Sequence, residues 1–465
     1  MTGIALIIAF LISIVVMVLA ISKLKVHPFL AIMGVAVVLG LLAGIPLVNQ
    51  VNEQGETVTG IAGIMGQGFS AIFTSIGLVI IFGGIIGSVL EATGGAFKIA
   101  DIVVKVLGKA SPALSMVIMG WIVSIPVFCD SGFVILNPVR KSLVKRTGTS
   151  AVATAVGLGG GLYISHVLVP LTPGPLAAAG ELNFDDNLLM LMLVSIVVSI
   201  PVIIATYLWA KFVGKKSQSK EDLELASSET VQTYEELVES YGGLPNGLLS
   251  LAPILVPIIC LAIGSITQVV EVTGVLGDII RFIGTPVIAL GFGVIFAAIL
   301  LASTKKMSQF NTLTNDTLKA LGPILFITGA GSVLGRVIAV SDMVPFISEH
   351  SEVLAGLGLF FPFLIAAIIK TAQGSSTVAI ITTAGIMAPL MTSLGMDSNM
   401  MTALTVMAIG SGSMMASHAN DSYFWVVNNL SNMTPEEGYK NWTTMSVVQG
   451  LASIITIFII SLFFS

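Results

Sequence analysis

Asp130 stands in SIPVFCDSGFVILNPVRK, residues 124–141, beside a cysteine, a serine and a glycine and inside an otherwise apolar stretch. A carboxylate at membrane depth costs on the order of several kcal/mol unless it is paired or wet. Such an acid either caps a helix, pairs with a cation, or loads and releases a proton, and the last role makes Asp130 the leading candidate for proton coupling. A second polar cluster, KTAQGSST at 370–377, also interrupts apolar sequence. Each cluster is followed by a new helix start, at Ser131–Gly132 and at Ser375, where free N–H groups and the positive dipole end favour an anion. Gln373, Gly374, Ser376 and Thr377 complete the second cluster, whose hydroxyls either contact a ligand or satisfy turn backbone.

Two further stretches carry polar groups. GLGGGLYISHVLVPLTPGP, 157–175, has three consecutive glycines and three prolines, which predicts a broken helix whose loosened backbone is open to a ligand. His166 at this break is a proton relay, a substrate donor, or a neutral histidine that holds the bend. SGSMMASHANDSYFW, 411–425, groups Ser417, His418, Asn420, Asp421 and Ser422, the densest polar set in any apolar segment. Arg336 and Lys370 are the cations inside membrane segments: Lys370 pairs a substrate carboxylate, pairs Asp130, or snorkels outward, and Arg336 is a weaker candidate of the same kind. No carboxylate or second histidine stands at i+3 or i+4 from His166, so no metal site is expected.

The surrounding composition sets the elements that must position these residues. The chain has 465 residues, 55% hydrophobic and 10% charged, with a mean hydropathy of +1.01, and apolar runs near the length of a membrane span recur throughout. This predicts an all-α polytopic membrane protein and argues against an outer-membrane barrel, which alternates over shorter strands. No basic stripe points to nucleic acid. Cys129 and Cys260 both lie in apolar runs, which argues against a disulfide framework or a cysteine metal site. Residues 4–20 lack the flanks of a signal peptide and are expected as a retained first helix.

Lys and Arg gather in alternate loops, which predicts an outside N-terminus and a cytoplasmic polar linker over 213–247. All of the 20 cationic residues except Arg281, Arg336 and Lys370 then face the cytoplasm. The run 110–139 breaks this alternation, because Lys109 precedes it and Arg140, Lys141, Lys145 and Arg146 follow. A re-entrant hairpin of two half-helices with Asp130 at its tip solves the conflict. IGSVL at 86–90 returns as AGSVL at 330–334, CDSGFVI at 129–135 faces QGSSTVA at 373–379 at the same separation, and His166 and His418 end YISH and MASH. This weak repeat predicts two inverted-topology halves, 1–212 and 248–465, each with five crossings and one hairpin, the second over 353–395. Broken helices are expected at 151–176 and 400–427.

PVFCDSGFVILNP, ISHVLVPLTPGPLAAAG, KTAQGSSTVAIITTAGIMAPL and SGSMMASHANDSYFWVV resemble the motifs of the gluconate permease family, proton symporters for gluconate and related acids, over nearly the whole chain. The resemblance implies a scaffold, an elevator-type transport domain and a homodimer. It also implies site roles for Asp130, Ser165, His166, the run Gln373 to Thr377, His418, Asn420 and Asp421. Gluconate-type members often have Glu at the place of Asp130 and a histidine at that of Thr172, and these departures from the family pattern fit a substrate other than gluconate itself, such as glycerate or another small hydroxy acid, beside the gluconate-like acids that the resemblance implies.

The expected function is therefore proton-coupled uptake of a sugar acid or small hydroxy acid across the cytoplasmic membrane, with Na⁺ as the alternative coupling ion and no organic cofactor. The expected partners are that carboxylate, the lipid bilayer and a second copy of the chain. An intramembrane enzyme with Cys129 or a serine as nucleophile is the rival from another class, and the absence of a G-x-S-x-G or H-E-x-x-H pattern weighs against it.

Overall fold

The computed structural model describes residues 3–51, 55, 57–107, 111–217, 219–222, 239, 243–269, 274–349 and 357–464. Lys109, Glu352, the start of each expected hairpin and most of the linker over 213–247 lie outside these residues. The first half contains α1 (Gly3–Ser22), α2 (Pro28–Leu42), a two-stranded β1–β2 turn (Gln50–Val51 with Thr57–Val58), α3 (Ile61–Ile72), α4 (Leu78–Thr93) and α5 (Gly95–Leu107). It continues through α6 (Pro112–Val123), α7 (Cys129–Thr147), α8 (Ala151–Leu168), α9 (Pro173–Glu181) and α10 (Leu188–Lys216). The second half contains α11 (Gly247–Val269), α12 (Val275–Ile283), α13 (Pro286–Ser303), α14 (Phe310–Ala339) and α15 (Met343–Glu349). It ends with α16 (Phe360–Gln373), α17 (Ser376–Met387), α18 (Asn399–Ser413), α19 (Ser422–Leu430) and α20 (Thr444–Ser461).

Among the described residues seven helices are long and apolar enough to cross a membrane, or eight when α3 and α4, bent by 48°, count as one span. Ten crossings were expected from hydropathy. The two that fall short are α2, with 15 residues, and the α18–α19 pair, with 15 and 9 residues on either side of a non-helical stretch. A full crossing needs about 20 helical residues. The outer faces are apolar and the interior holds hydroxyls. On α10, Leu193, Ile200, Ile204 and Leu208 are more than half exposed, while Ser195, Ser199 and Thr206 are fully buried. That inversion suits a helix whose solvent is lipid and whose contacts need small side chains.

Two helix–turn–helix units contain arms too short to cross, α6, α16 and α17 with 12, 14 and 12 residues, while α7 has 19. The α6 helix, 12 residues from Pro112, turns through 124–128 into α7, and α16 turns at Gly374–Ser375 into α17. At 1.5 Å per residue a 12-residue helix covers about 18 Å, little more than half of a hydrocarbon core near 30 Å. All 18 residues of α8 are buried, and α6, α7, α10, α18 and α20 pack on it. A second group is built from α2, α3, α4, α11, α13 and α14, and the two groups meet where α14 packs on α17 and α5 on α6.

The three glycines do not break α8. The helix runs straight through Gly159, Gly160 and Gly161, because a Cβ at Gly161 would stand 2.1 Å from the Val117 carbonyl oxygen of α6. The glycines thus serve close helix packing, which outweighs their poor helix propensity. The break comes later, at 169–172, where Pro170 ends the helix and Pro173 starts α9.

The described start of the linker returns to the base of α7. Arg140, fully buried, makes a forked pair with Glu221 at 2.6 and 2.8 Å and donates to the Ala151 carbonyl at 3.1 Å and to Asn137 at 2.8 Å. Asp222 accepts from the Ala151 N–H at 2.6 Å, at the start of α8.

Candidate functional site

Both turns, the end of α8 and the α18–α19 break converge on one cavity of about 420 Å³. The α6–α7 turn contributes Phe128, Cys129 and Asp130, and the α16–α17 turn contributes Gln373, Gly374, Ser375, Ser376 and Thr377. His166 comes from the end of α8, and Asn420, Asp421, Ser422 and Tyr423 come from the α18–α19 break. Pro323, Ile324 and Ile327 of α14 close the cavity with an apolar wall.

The second turn is held in one shape. Gly374 has φ +90°, and a Cβ there would lie 2.1 Å from the Asn420 carbonyl oxygen, so only glycine fits. The Gln373 amide spans the turn, accepting from Ser375 N at 2.9 Å and donating to Ser375 O at 2.5 Å. Ser375 caps α17 by accepting from Val378 N at 3.3 Å. The leading N–H groups of α17, at Ser376 and Thr377, have no intrahelical acceptor and border the cavity. The Thr377 hydroxyl makes no hydrogen bond among the described residues.

Lys370 and Asp421 form a buried ion pair of 2.6 Å with side chains 1% and 6% exposed. Lys370 also donates to the Gly374 carbonyl and lies 5.8 Å from the centroid of the Tyr163 ring. Asp421 accepts in addition from the Ser417 hydroxyl at 2.5 Å and from Tyr423 N at 3.0 Å. Trp442 donates to that Ser417 hydroxyl at 2.9 Å. Two donors and a cation thus hold the Asp421 side chain, which ties the α18–α19 break to the α16–α17 turn. Likewise Lys370 is committed to Asp421, and neither pairs Asp130 nor reaches the surface.

Asp130 is held loosely by comparison. It accepts from the Ser422 hydroxyl at 3.5 Å and from the Cys129 thiol at 3.6 Å, and no cation forms an ion pair with it among the described residues. Across the cavity His166 is buried with Nδ1 lacking a hydrogen-bond partner, and Phe128 lies 6.2 Å from it, ring to ring.

Several expected contacts sit behind the cavity wall. Ser165, fully buried, donates to the Trp121 carbonyl, and Thr172 donates to the carbonyls of His166 and Val169 at 2.9 and 3.0 Å, closing the α8 break. Ser131 bonds the Glu91 side chain of α4. Gly132 packs on Leu162, and His418 Nε2 meets the Thr371 carbonyl at 2.9 Å, as does the Nδ2 of Asn420, which itself lines the cavity. Arg336 lines a different cavity altogether. Tyr163 and Tyr423 were missed by sequence reasoning, although both stand beside quoted motifs. The Tyr163 hydroxyl lies 2.8 Å from that of Ser376 and donates to Ser413 O at 3.2 Å, and Tyr423 donates to Gly159 O at 3.0 Å.

Known proteins fit this arrangement. The model of the GntP family permease matches residues 5–463. The chain belongs to the GntP permease family. An uncharacterised permease of Haemophilus influenzae is 33% identical over 91% of this chain and 85% of its own length. The gluconate permease of Pseudomonas aeruginosa is 28% identical over 97% and 96%, and the L-idonate transporter of the Escherichia coli Gnt-II system is 29% identical over 93% and 94%. In fold, the Alcanivorax borkumensis YdaH transporter is similar at a TM-score of 0.66 and 15% identity, covering 94% of this chain and 99% of that one. MtrF of Neisseria gonorrhoeae follows at 0.61 and 14%, covering 95% and 96%. This GntP permease is thus a multi-pass membrane transporter.

Proposed function

We propose that this permease takes up a sugar acid or small hydroxy acid together with protons across the cytoplasmic membrane, with Asp130 as the proton-carrying group. The observation that carries the reading is an unpaired carboxylate and two helix N-termini on one cavity between short paired helices. The α7 and α17 N-termini and the Thr377 hydroxyl receive the substrate carboxylate and its hydroxyls. His166 offers its unpartnered Nδ1 to a substrate hydroxyl or to the proton in transit. The gluconate and idonate transporters among the relatives support the substrate class, and a cavity of about 420 Å³ has the size of a small-molecule site.

In this reading the α6–α7 and α16–α17 units are re-entrant hairpins of two inverted halves. Together with α8–α10 and α18–α20 they form a transport domain that moves against the group built on α3, α4, α13 and α14. The permease works as a homodimer with its N-terminus outside and its linker in the cytoplasm. The test is uptake of labelled gluconate and labelled glycerate into proteoliposomes under a pH gradient or a Na⁺ gradient alone. Accumulation driven by inward protons supports the reading, and accumulation driven only by Na⁺ refutes proton coupling.

A further inference from the structure

A second cavity, of about 510 Å³, lies beside the end of α14 remote from Lys305 and Lys306. It is lined by α3, the turn at 73–77, the C-terminal part of α14, the far end of the α16–α17 unit and the end of α9, and Gln67, Ser75, Asn183, Ser332, Glu181 and Arg336 supply its polar surface. Glu181, the last residue of α9, is 7% exposed. Its Oε1 faces Gly331 of α14, is closed to solvent and has no hydrogen-bond donor. The helix packed on α9, α17, buries the Thr382 and Thr383 hydroxyls in the same unpartnered condition.

An ionised carboxylate with one oxygen sealed from water and from every donor is far costlier than the neutral acid. The surroundings supply little to offset that charge. Of the elements packed on α9, α3, the turn at 73–77, α17 and α18 carry no titratable side chain. Glu91 of α4 bonds Ser131, and Tyr163 and His166 of α8 face the central cavity. Asp316 and Lys319 pair with each other at the other end of α14, and Asp185 and Asp186 follow α9 in the next turn. Arg336 is the one charged group that shares the crevice lining with Glu181, and the two form no ion pair.

We propose that Glu181 is a second proton-binding site of the transport cycle, which takes up and gives back its proton through this crevice, with Arg336 as the charge beside it when the acid ionises. The proposal rests on the proton-coupled reading above and adds a carboxylate that lies outside the substrate cavity. The proton-to-substrate ratio, measured from the reversal potential of reconstituted wild type and Glu181→Gln, is expected to fall by one proton per substrate in the variant. A ratio equal to wild type overturns the proposal.

A second measurement does not depend on transport. Difference infrared spectra of purified wild-type protein should contain a carboxylic-acid C=O band that titrates with pH, disappears in Glu181→Gln and returns, shifted, in Glu181→Asp. Absence of any band lost in Glu181→Gln, or a band that never titrates, refutes the site. If wild type accumulates nothing on a pH gradient, proton-coupled uptake fails as a reading while the infrared titration still decides whether Glu181 exchanges a proton.

Discussion

At the second turn the carboxylate of Asp421 meets a lysine, a hydroxyl and a backbone N–H, whereas at the first turn Asp130 has a serine and a thiol, both at the limit of bonding distance. Both acids border one cavity, yet Asp421 is tied by an ion pair and Asp130 has no ion-pair partner among the described residues. A buried ion pair adds little net stability but becomes costly when one partner is removed. An acid without a cation has no such anchor and its protonation is open to control by whatever enters the cavity. On the proposed reading the Lys370–Asp421 side holds the turn in place and the Asp130 side carries the coupling proton.

The largest effect is expected from Lys370→Met, which leaves Asp421 buried and unpaired. A loss of about 3–5 kcal/mol is expected for such a break, read as a fall in the thermal unfolding temperature of the purified protein, with no uptake. The double variant Lys370→Met/Asp421→Asn should regain most of that stability and still fail to transport, since the turn loses the cation that holds the Gly374 carbonyl. Equal stability of the single variant and wild type would break the contrast.

Gly374→Ala places a side chain at φ +90° against the Asn420 backbone. Strain of about 1–3 kcal/mol in the turn predicts substrate affinity weaker by about tenfold, measured as the half-saturating concentration for uptake. Tyr163→Phe removes the hydroxyl that reaches Ser376. Of the two hydrogen bonds lost, the one to Ser376 lies at the cavity, and its contribution of about 0.5–1.5 kcal/mol predicts a substrate affinity weaker by about threefold to tenfold, with folding intact. The smallest effect is expected from Thr172→Val, which lacks the hydroxyl that closes the α8 break. About 1 kcal/mol of stability should be lost and substrate selectivity should not change, because Thr172 lies behind the wall. A changed preference between gluconate and glycerate would return Thr172 to the site.

The elements around the cavity were legible because each departs from the apolar background. Asp130, the 370–377 cluster, the prolines near His166 and the polar run after Ser417 all interrupt sequence that lipid would otherwise select. What stayed hidden depends on long-range pairing. Lys370 had several open partners in the sequence, and the choice of Asp421 follows from the α18–α19 break folding over the α16–α17 turn. The triple glycine read as a break because propensity is local, while Val117 of α6 makes those glycines necessary inside a straight helix. Arg336 looked like a site residue because an intramembrane cation is rare, and only the length of α14 carries it away from the central cavity. Glu181 stood in an acidic loop motif, and nothing in its neighbours announced that it would be buried.

The most direct test is Asp130→Asn in proteoliposomes, with substrate counterflow and proton-driven accumulation measured on the same preparation. The account predicts that counterflow, which needs no net proton movement, persists while accumulation under an inward pH gradient is abolished. Normal accumulation by Asp130→Asn would contradict the assignment of the proton to this carboxylate.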